Sequence, residues 1–204
     1  MPLTGWLASL QGDLAAVAES AQASMVQIRS GRDGAGTGTI GSADGLVLTN
    51  AHVVQHHRMQ VVLHDGRRLE AQVEAIDPRL DLAALRVSAH GLPAIRLGSS
   101  GQLRAGELVL AVGNPWGVEG GATLGIVIGM GADLPENPQP WRELIAVSLH
   151  LRPGHSGGPL VDAHGNLVGI NTMMAGPEVG LAVPVDAVKQ FLRARAQDTI
   201  AWAA

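Results

Sequence analysis

The chain reads as an all-β protein of two strand-built units with a helix at each end, and three observations carry this reading. From Ser24 to about Val183 short apolar or alternating runs follow one another, each closed by Gly, Asp, Asn or Pro, the pattern of strands separated by turns. No helical pattern of about 10–15 residues intervenes between the runs, so the crossovers of a parallel sheet are excluded and a sandwich or barrels remain. Gly and Ser concentrate around residues 98–106 and split the runs into two comparable groups, which marks a boundary between two β units.

In chain order, Leu7, Leu10, Leu14, Val17 and Ala18 lie on one helical stripe with few breakers, predicting a helix over 7–22. Strands are expected at 25–29, 38–40, 45–49, 59–63, 69–76 and 82–87, then at 108–112, 122–128, 143–150, 159–162, 167–172 and 180–184. The turns Ala43-Asp44-Gly45, His64-Asp65-Gly66 and Ala163-His164-Gly165-Asn166 place Gly or Asn between apolar runs, where backbone at positive φ closes hairpins. After Pro184, Asp186 precedes Val188, Phe191 and Leu192, predicting an N-capped helix to about Ala196. The expected organisation is a helical segment (1–23), a first β unit (24–100), a second β unit (101–184), and a final helix with a tail (185–204).

Composition removes several chemistries. The 204 residues are 46% hydrophobic, enough for a substantial core, and the formal net charge of −4 gives no general attraction to nucleic acid or an anionic membrane. Without cysteine there is no thiol nucleophile, thiolate metal site or disulfide framework, and without tyrosine one further acid or base is lost. The single lysine, Lys189, lies in no Gly-rich phosphate loop, so nucleotide binding of the Walker type fails. The start of the chain lacks the charged and apolar regions of a secretory signal, and no run reaches membrane-spanning length. Serine, histidine and carboxylates remain as the reactive groups.

Three segments carry that chemistry. Leu48-Thr49-Asn50-Ala51-His52-Val53-Val54 puts a histidine just past a strand end, and Asp77-Pro78-Arg79-Leu80-Asp81-Leu82 puts an aspartate at the head of an apolar strand. Gly154-His155-Ser156-Gly157-Gly158-Pro159 exposes a serine on a tight turn, where backbone N–H groups can converge on an acyl-transfer oxyanion. Taken singly, Ser156 reads as a turn residue, His52 as a cap or surface histidine and Asp81 as a strand-start carboxylate. The last segment also fits the nucleophile elbow of α/β-hydrolases. That fold needs serine, acid and histidine in this order and a helix after the serine, whereas only His164 follows and Pro159 interrupts a helix. The order His52, Asp81, Ser156 is the chymotrypsin-like one.

With Gly113-Asn114-Pro115-Trp116-Gly117 and Gly169-Ile170-Asn171-Thr172 added in the same order, the chain resembles the HtrA/Deg branch of chymotrypsin-fold serine proteases over roughly residues 24–195. The resemblance implies two antiparallel six-stranded β-barrels with the active site between them. It implies Ser156 as nucleophile, His52 as base, Asp81 as its orienting acid, and the N–H groups of Gly154 and Ser156 as the oxyanion hole, with no metal or cofactor. It frames the primary pocket with Leu151, Ile170 and Met174, which favours small to medium aliphatic side chains. Asp77, the rival acid, precedes Pro78 in an expected turn, and His150 and His155 lack a third ligand for zinc.

Two positions depart from the family pattern: His155 stands where Asn is usual, and the segment Ala146-Val147-Ser148-Leu149-His150-Leu151 lacks a familiar aspartate. The ordering of the oxyanion loop and the role of His155, a pH switch or a fixed hydrogen-bonding residue, therefore stay open at this point. The chain stops near Ala204, where many relatives continue into a PDZ domain, so an isolated protease domain or a relative lacking PDZ is expected. The implied function is endoproteolysis of unfolded or misfolded polypeptides; the alternative is a holdase with suppressed activity. The family often works in the cell envelope or periplasm. Its trimers suggest that Trp6 and the first helix pack on another subunit, with packing on the chain's own barrel as the other choice.

Overall fold

The computed structural model describes residues 3–30, 34–134 and 137–202; Met1, Pro2 and the last two residues of the expected tail lie outside the described residues. Among the described residues the apolar runs form twelve strands. The first six are β1 (Met25–Ser30), β2 (Gly34–Ile40), β3 (Leu46–Thr49), β4 (Arg58–Leu63), β5 (Arg68–Asp77) and β6 (Leu82–Val87). The others are β7 (Leu108–Gly113), β8 (Gly121–Gly131), β9 (Leu144–Val147), β10 (Pro159–Asp162), β11 (Leu167–Met174) and β12 (Gly180–Pro184). They close into two antiparallel barrels, in the orders β1-β2-β3-β6-β5-β4 and β10-β11-β12-β9-β8-β7. Closure removes the free edges that an open sheet would expose.

Strand alternation explains why so many of these runs are apolar throughout. In β3, Val47 points into the first barrel while Leu46 and Leu48 face the second; in β7, Val109 and Ala111 fill the second barrel while Leu110 and Val112 face the first. The cluster between the barrels is thus built from both units and also takes in Phe191 and Val188 of the last helix. Strands buried on both faces lose the polar alternation of a half-exposed strand. On β8 the outward side chains Leu124, Ile126, Ile128 and Met130 instead remain exposed.

Two strand boundaries differ from expectation for identifiable reasons. β2 begins at Gly34 rather than residue 38, because Gly34, Ala35 and Gly36 carry no readable alternation although their backbones pair with Ser30, Arg29 and Ile28. β9 ends at Val147 rather than residue 150. Ser148 N–H still bonds Ile126 O, but the chain bends while Leu149 and Leu151 stay buried, so apolar character outlasts the ladder.

The first helix, α1 (Leu3–Ala23), packs Leu14, Val17, Ala18 and Ala21 on the cluster between the barrels and leaves Trp6 65% exposed. The second, α2 (Val185–Trp202), runs past the expected end near Ala196. Asp186 at its start accepts Ser100 Oγ–H and Gly101 N–H, both at 2.9 Å, and Lys189 reaches Asp186 at 2.9 Å and Gly98 O at 2.6 Å. The linker between the barrels is thereby tied to the helix. No described helix is long and apolar enough to cross a membrane.

Candidate active site

His52 sits on a short 3-10 turn, Ala51–Val53, directly after β3, and Asp81 immediately precedes β6. β3 and β6 are antiparallel neighbours with Thr49 opposite Ala83, so one strand pairing brings the two side chains together. His52 Nδ1 lies 3.0 Å from both carboxylate oxygens of Asp81, and His52 N–H donates to Oδ1 at 3.1 Å. A carboxylate only accepts, so Nδ1 carries the proton and the Nε2 lone pair is left for a second partner. Asn50 Nδ2 donates to Asp81 O at 3.0 Å, and Thr172 Oγ1 to Asp81 Oδ2 at 2.6 Å.

Burial alone would raise the Asp81 pKa, but the hydrogen bonds from His52 and Thr172, with the attraction of His52, outweigh it and hold it below the ordinary carboxylate value. Asp77 is used elsewhere: its Oδ1 accepts the N–H groups of Arg79 and Leu80 at 2.8 and 3.1 Å, closing the turn before Asp81. Arg142 is enclosed nearby, its guanidinium without an acceptor among the described residues. Burial lowers its pKa and the Asp81 charge opposes that shift.

Ser156 lies on the turn leading into β10. Gly154 and Gly157 have φ of +104° and +83°, and a Cβ would come within 2.1 Å of Asn114 O at the first and 2.0 Å of Thr37 O at the second. Glycine is required at both positions, because the left-handed backbone disfavours a side chain and the approach of neighbouring main chain leaves no room for one.

Every carbonyl from Arg152 to Gly157 has a partner. Arg152 O accepts His155 N–H, Pro153 O accepts Trp116 N–H at 3.0 Å, and His155 O accepts Gly158 N–H. Gly154 O accepts Thr37 Oγ1–H at 2.7 Å and Asn114 N–H at 2.9 Å, Ser156 O accepts Thr37 N–H, and Gly157 O accepts Thr39 Oγ1–H. The N–H groups of Arg152, His155, Gly157 and Gly158 are likewise bonded, to His155 Nδ1, Arg152 O, Asn171 O and His155 O. Among the described residues the N–H groups of Gly154 and Ser156 have no protein acceptor.

Ser156 Oγ is bonded to Thr172 O at 2.9 Å rather than to His52. Thr172 thus touches Asp81 through its hydroxyl and Ser156 through its carbonyl. The sequence offered it only as the end of the Gly169–Thr172 block. Thr37, Thr39 and Asn114 were also missed as site residues. The Gly/Thr alternation of β2 was the visible trace of the two threonines, and Asn114 stood in the 113–117 block without a role.

Leu151 and Met174 come together: both belong to the apolar cluster of the second barrel, and Leu151 N–H points at Met174 Sδ at 3.1 Å. Ile170 is fully buried in the cluster between the barrels and does not share theirs. His155 is buried, with Nδ1 3.1 Å from Arg152 N, and burial pushes its pKa down, which favours the neutral ring. Trp116 is 67% exposed, sits at φ 53°, and stacks under the Arg152 guanidinium at 4.5 Å. Asp81 (φ 55°) and Trp116 are the non-glycine residues at positive φ among those described, so backbone strain collects around this site. Among the described residues no three His, Cys, Asp or Glu side chains are grouped to hold a metal ion.

The chain has recognised relatives. The trypsin-like peptidase domain model matches residues 36–170. A probable periplasmic serine endoprotease DegP-like of Ectopseudomonas mendocina is 42% identical over 176 residues, covering 82% of this chain and 37% of the relative. Human serine protease HTRA4 is 40% identical over 162 residues, covering 77% of this chain and 34% of the relative. The solved HtrA-type protease AlgW with tripeptide superposes with a TM-score of 0.80 at 35% identity, over 88% of this chain and 62% of that one. The chain therefore spans little more than a third of the curated relatives described above.

Proposed function

This chain belongs to the trypsin-like peptidase family, in its HtrA-type branch, and from that membership we propose that it is a serine endopeptidase working through Ser156, His52 and Asp81. Ser156 Oγ turns from Thr172 O toward His52 Nε2, gives up its proton there and attacks the scissile carbonyl. Asp81, held ionised, fixes the tautomer of His52 and stabilises the imidazolium that forms. The tetrahedral oxyanion is received by the N–H groups of Gly154 and Ser156, and His52 returns the proton to the leaving amine as the C–N bond breaks. Water, deprotonated by the same imidazole, then releases the acyl group from Ser156.

The observation that carries this reading is the hydrogen-bond balance of the 152–158 turn. The other N–H groups of the turn are all paired, and the two left without a protein acceptor among the described residues are those an oxyanion hole needs. This favours the protease over a holdase with a collapsed loop. Leu151 and Met174 would form the pocket for the residue before the scissile bond, while Ile170, expected beside them, packs between the barrels instead. Burying a valine- or leucine-sized side chain there contributes about 1.5–3 kcal/mol, whereas an unpaired lysine would be penalised.

Unfolded polypeptides are the proposed substrates. The exposed outer half of α1, with Trp6 and Leu7, is the proposed contact for a homotrimer. Casein digestion tests the reading: the wild type should cleave it with or without chelator, after small or medium aliphatic residues. Ser156→Ala and His52→Ala should each lose about 10⁴- to 10⁶-fold in turnover. Retained activity in Ser156→Ala would refute the mechanism, and cleavage mainly after Lys or Arg would refute the pocket.

A further inference from the structure

Thr37 lies on β2 of the first barrel, is fully buried, and stands 117 residues before the Gly154 carbonyl it touches. A hydroxyl has one hydrogen to give and two lone pairs, and here all three are used. It donates to Gly154 O at 2.7 Å and accepts from Asn114 N–H at 3.2 Å and Asn114 Nδ2–H at 3.1 Å. Its own N–H donates to Ser156 O at 3.0 Å. One side chain therefore joins the first barrel, the turn after β7 and the nucleophile turn.

Peptide planarity converts these contacts into an orientation. Fixing a carbonyl fixes the N–H of the next residue, because both lie in one rigid plane. The plane bearing Gly154 N–H is held through Pro153 O by Trp116 N–H, and the plane bearing Ser156 N–H through His155 O by Gly158 N–H. Between these two donor planes lies the 154–155 peptide, whose carbonyl is the one Thr37 Oγ1 holds. The next plane, 156–157, is held by Thr37 N–H. If the intermediate plane rotates, the two donors no longer converge on one point.

We propose that Thr37 is a positioning residue for the oxyanion hole, acting across the barrel interface by holding the Gly154–His155 peptide so that the Gly154 and Ser156 N–H groups converge. The proposal rests on the serine-endopeptidase reading above. Thr37→Val removes the hydroxyl but keeps the shape and the N–H bond to Ser156 O, and Thr37→Ser keeps the hydroxyl. Asn114 N–H still holds Gly154 O in Thr37→Val, so the loss should stay below that of deleting a donor outright, which is typically 10²–10³.

The test compares kcat and KM on a peptide substrate with inhibition by a peptide boronic acid, whose tetrahedral adduct places an oxygen in the oxyanion hole. Active enzyme is counted by fluorophosphonate labelling, and folding is checked by thermal melting. Thr37→Val should lose about 10- to 100-fold in kcat with KM within about twofold, and boronate affinity should weaken in parallel. Thr37→Ser should recover kcat to within about threefold of the wild type. Unchanged kcat and boronate affinity in Thr37→Val would overturn the proposal, as would a Thr37→Ser as impaired as the valine variant. If Thr37→Val melts below the assay temperature, Asn114→Ala, which removes the Nδ2 donor to this hydroxyl, should lower kcat about three- to tenfold at constant KM. No change there would equally overturn it. A wild type that neither labels nor cleaves would instead refute the serine-endopeptidase reading.

Discussion

The proposed base–acid pair and the proposed nucleophile turn meet at Thr172 but are held by different means. His52 and Asp81 come together through a single strand pairing in the first barrel, and their contacts span 29 residues of sequence. Ser156 sits in the second barrel on a turn whose carbonyls are held by Thr37 and Thr39 of the first barrel, by Asn114 and Trp116 after β7, and by the turn itself. The pair is already joined by hydrogen bonding at 3.0 Å, whereas the serine hydroxyl still points at Thr172 O. The acid and the base are brought together by one ladder, and a single hydrogen bond from Thr172 of the second barrel completes their setting. A turn that must present two bare N–H groups needs every carbonyl around them occupied, and that takes contacts from both barrels.

The comparison breaks most severely at the pair. Asp81→Asn keeps the shape but can donate to Nδ1, reversing the tautomer of His52, and turnover should fall by about 10⁴-fold with little change in melting temperature. A loss below tenfold would show that the pair is not the working half. Thr172→Val sharpens the division, since it removes the hydroxyl on Asp81 but leaves the carbonyl that receives Ser156. Loss of a charge-assisted hydrogen bond of about 1.5–3 kcal/mol should relax Asp81 upward from its lowered pKa and move the acid limb of the rate profile. Turnover should fall about tenfold, and an unmoved profile would place Thr172 outside the pair.

Smaller effects separate structure from switching in the turn. The buried ring of His155 has its pKa pushed below the ordinary 6.5, so on acidification the unfolded chain takes up this proton before the folded one. Stability tied to the neutral ring is complete above the unfolded value and erodes as pH falls below it. His155→Asn should therefore lose less melting temperature than the wild type between pH 7 and pH 5, while the two pH–rate profiles superimpose. Divergent rate profiles would restore His155 as a switch. Asp186, whose bonds from Lys189, Gly101 and Ser100 bring its pKa to about 2, lies outside both halves. Its contribution is present above the unfolded carboxylate value and lost as pH falls through about 2. Asp186→Asn should slightly lower the melting temperature at neutral pH and leave turnover unaffected; an equal melting temperature would show the linker clasp to be inert.

What the sequence revealed follows the same division. Asp81 could be preferred to Asp77 because the proline after Asp77 marks a turn, and the turn is where the Asp77 carboxylate is used. His52 and Ser156 announce themselves by a strand end and a glycine cluster, both local patterns. Thr37 and Thr39 give no such signal, because what their hydroxyls contact is main-chain carbonyl, which no residue type encodes, and Asn114 and Trp116 are visible only as members of the 113–117 block. The start of β2 was hidden for a related reason, since glycine and alanine pair through their backbone without writing a pattern. The two strand groups were legible from strands, turns and the Gly/Ser boundary, while their closure into barrels came from the family resemblance and not from the alternation itself.

The central claim is that Ser156 is a nucleophile activated by His52 and served by the N–H groups of Gly154 and Ser156. It is tested most directly by exposing the protein to a fluorophosphonate and locating the adduct by intact mass and peptide mapping. The account predicts one phosphonyl group per chain, on Ser156, absent from Ser156→Ala and formed far more slowly in His52→Ala. A protein that stays unlabelled, or that labels equally in Ser156→Ala, would contradict it.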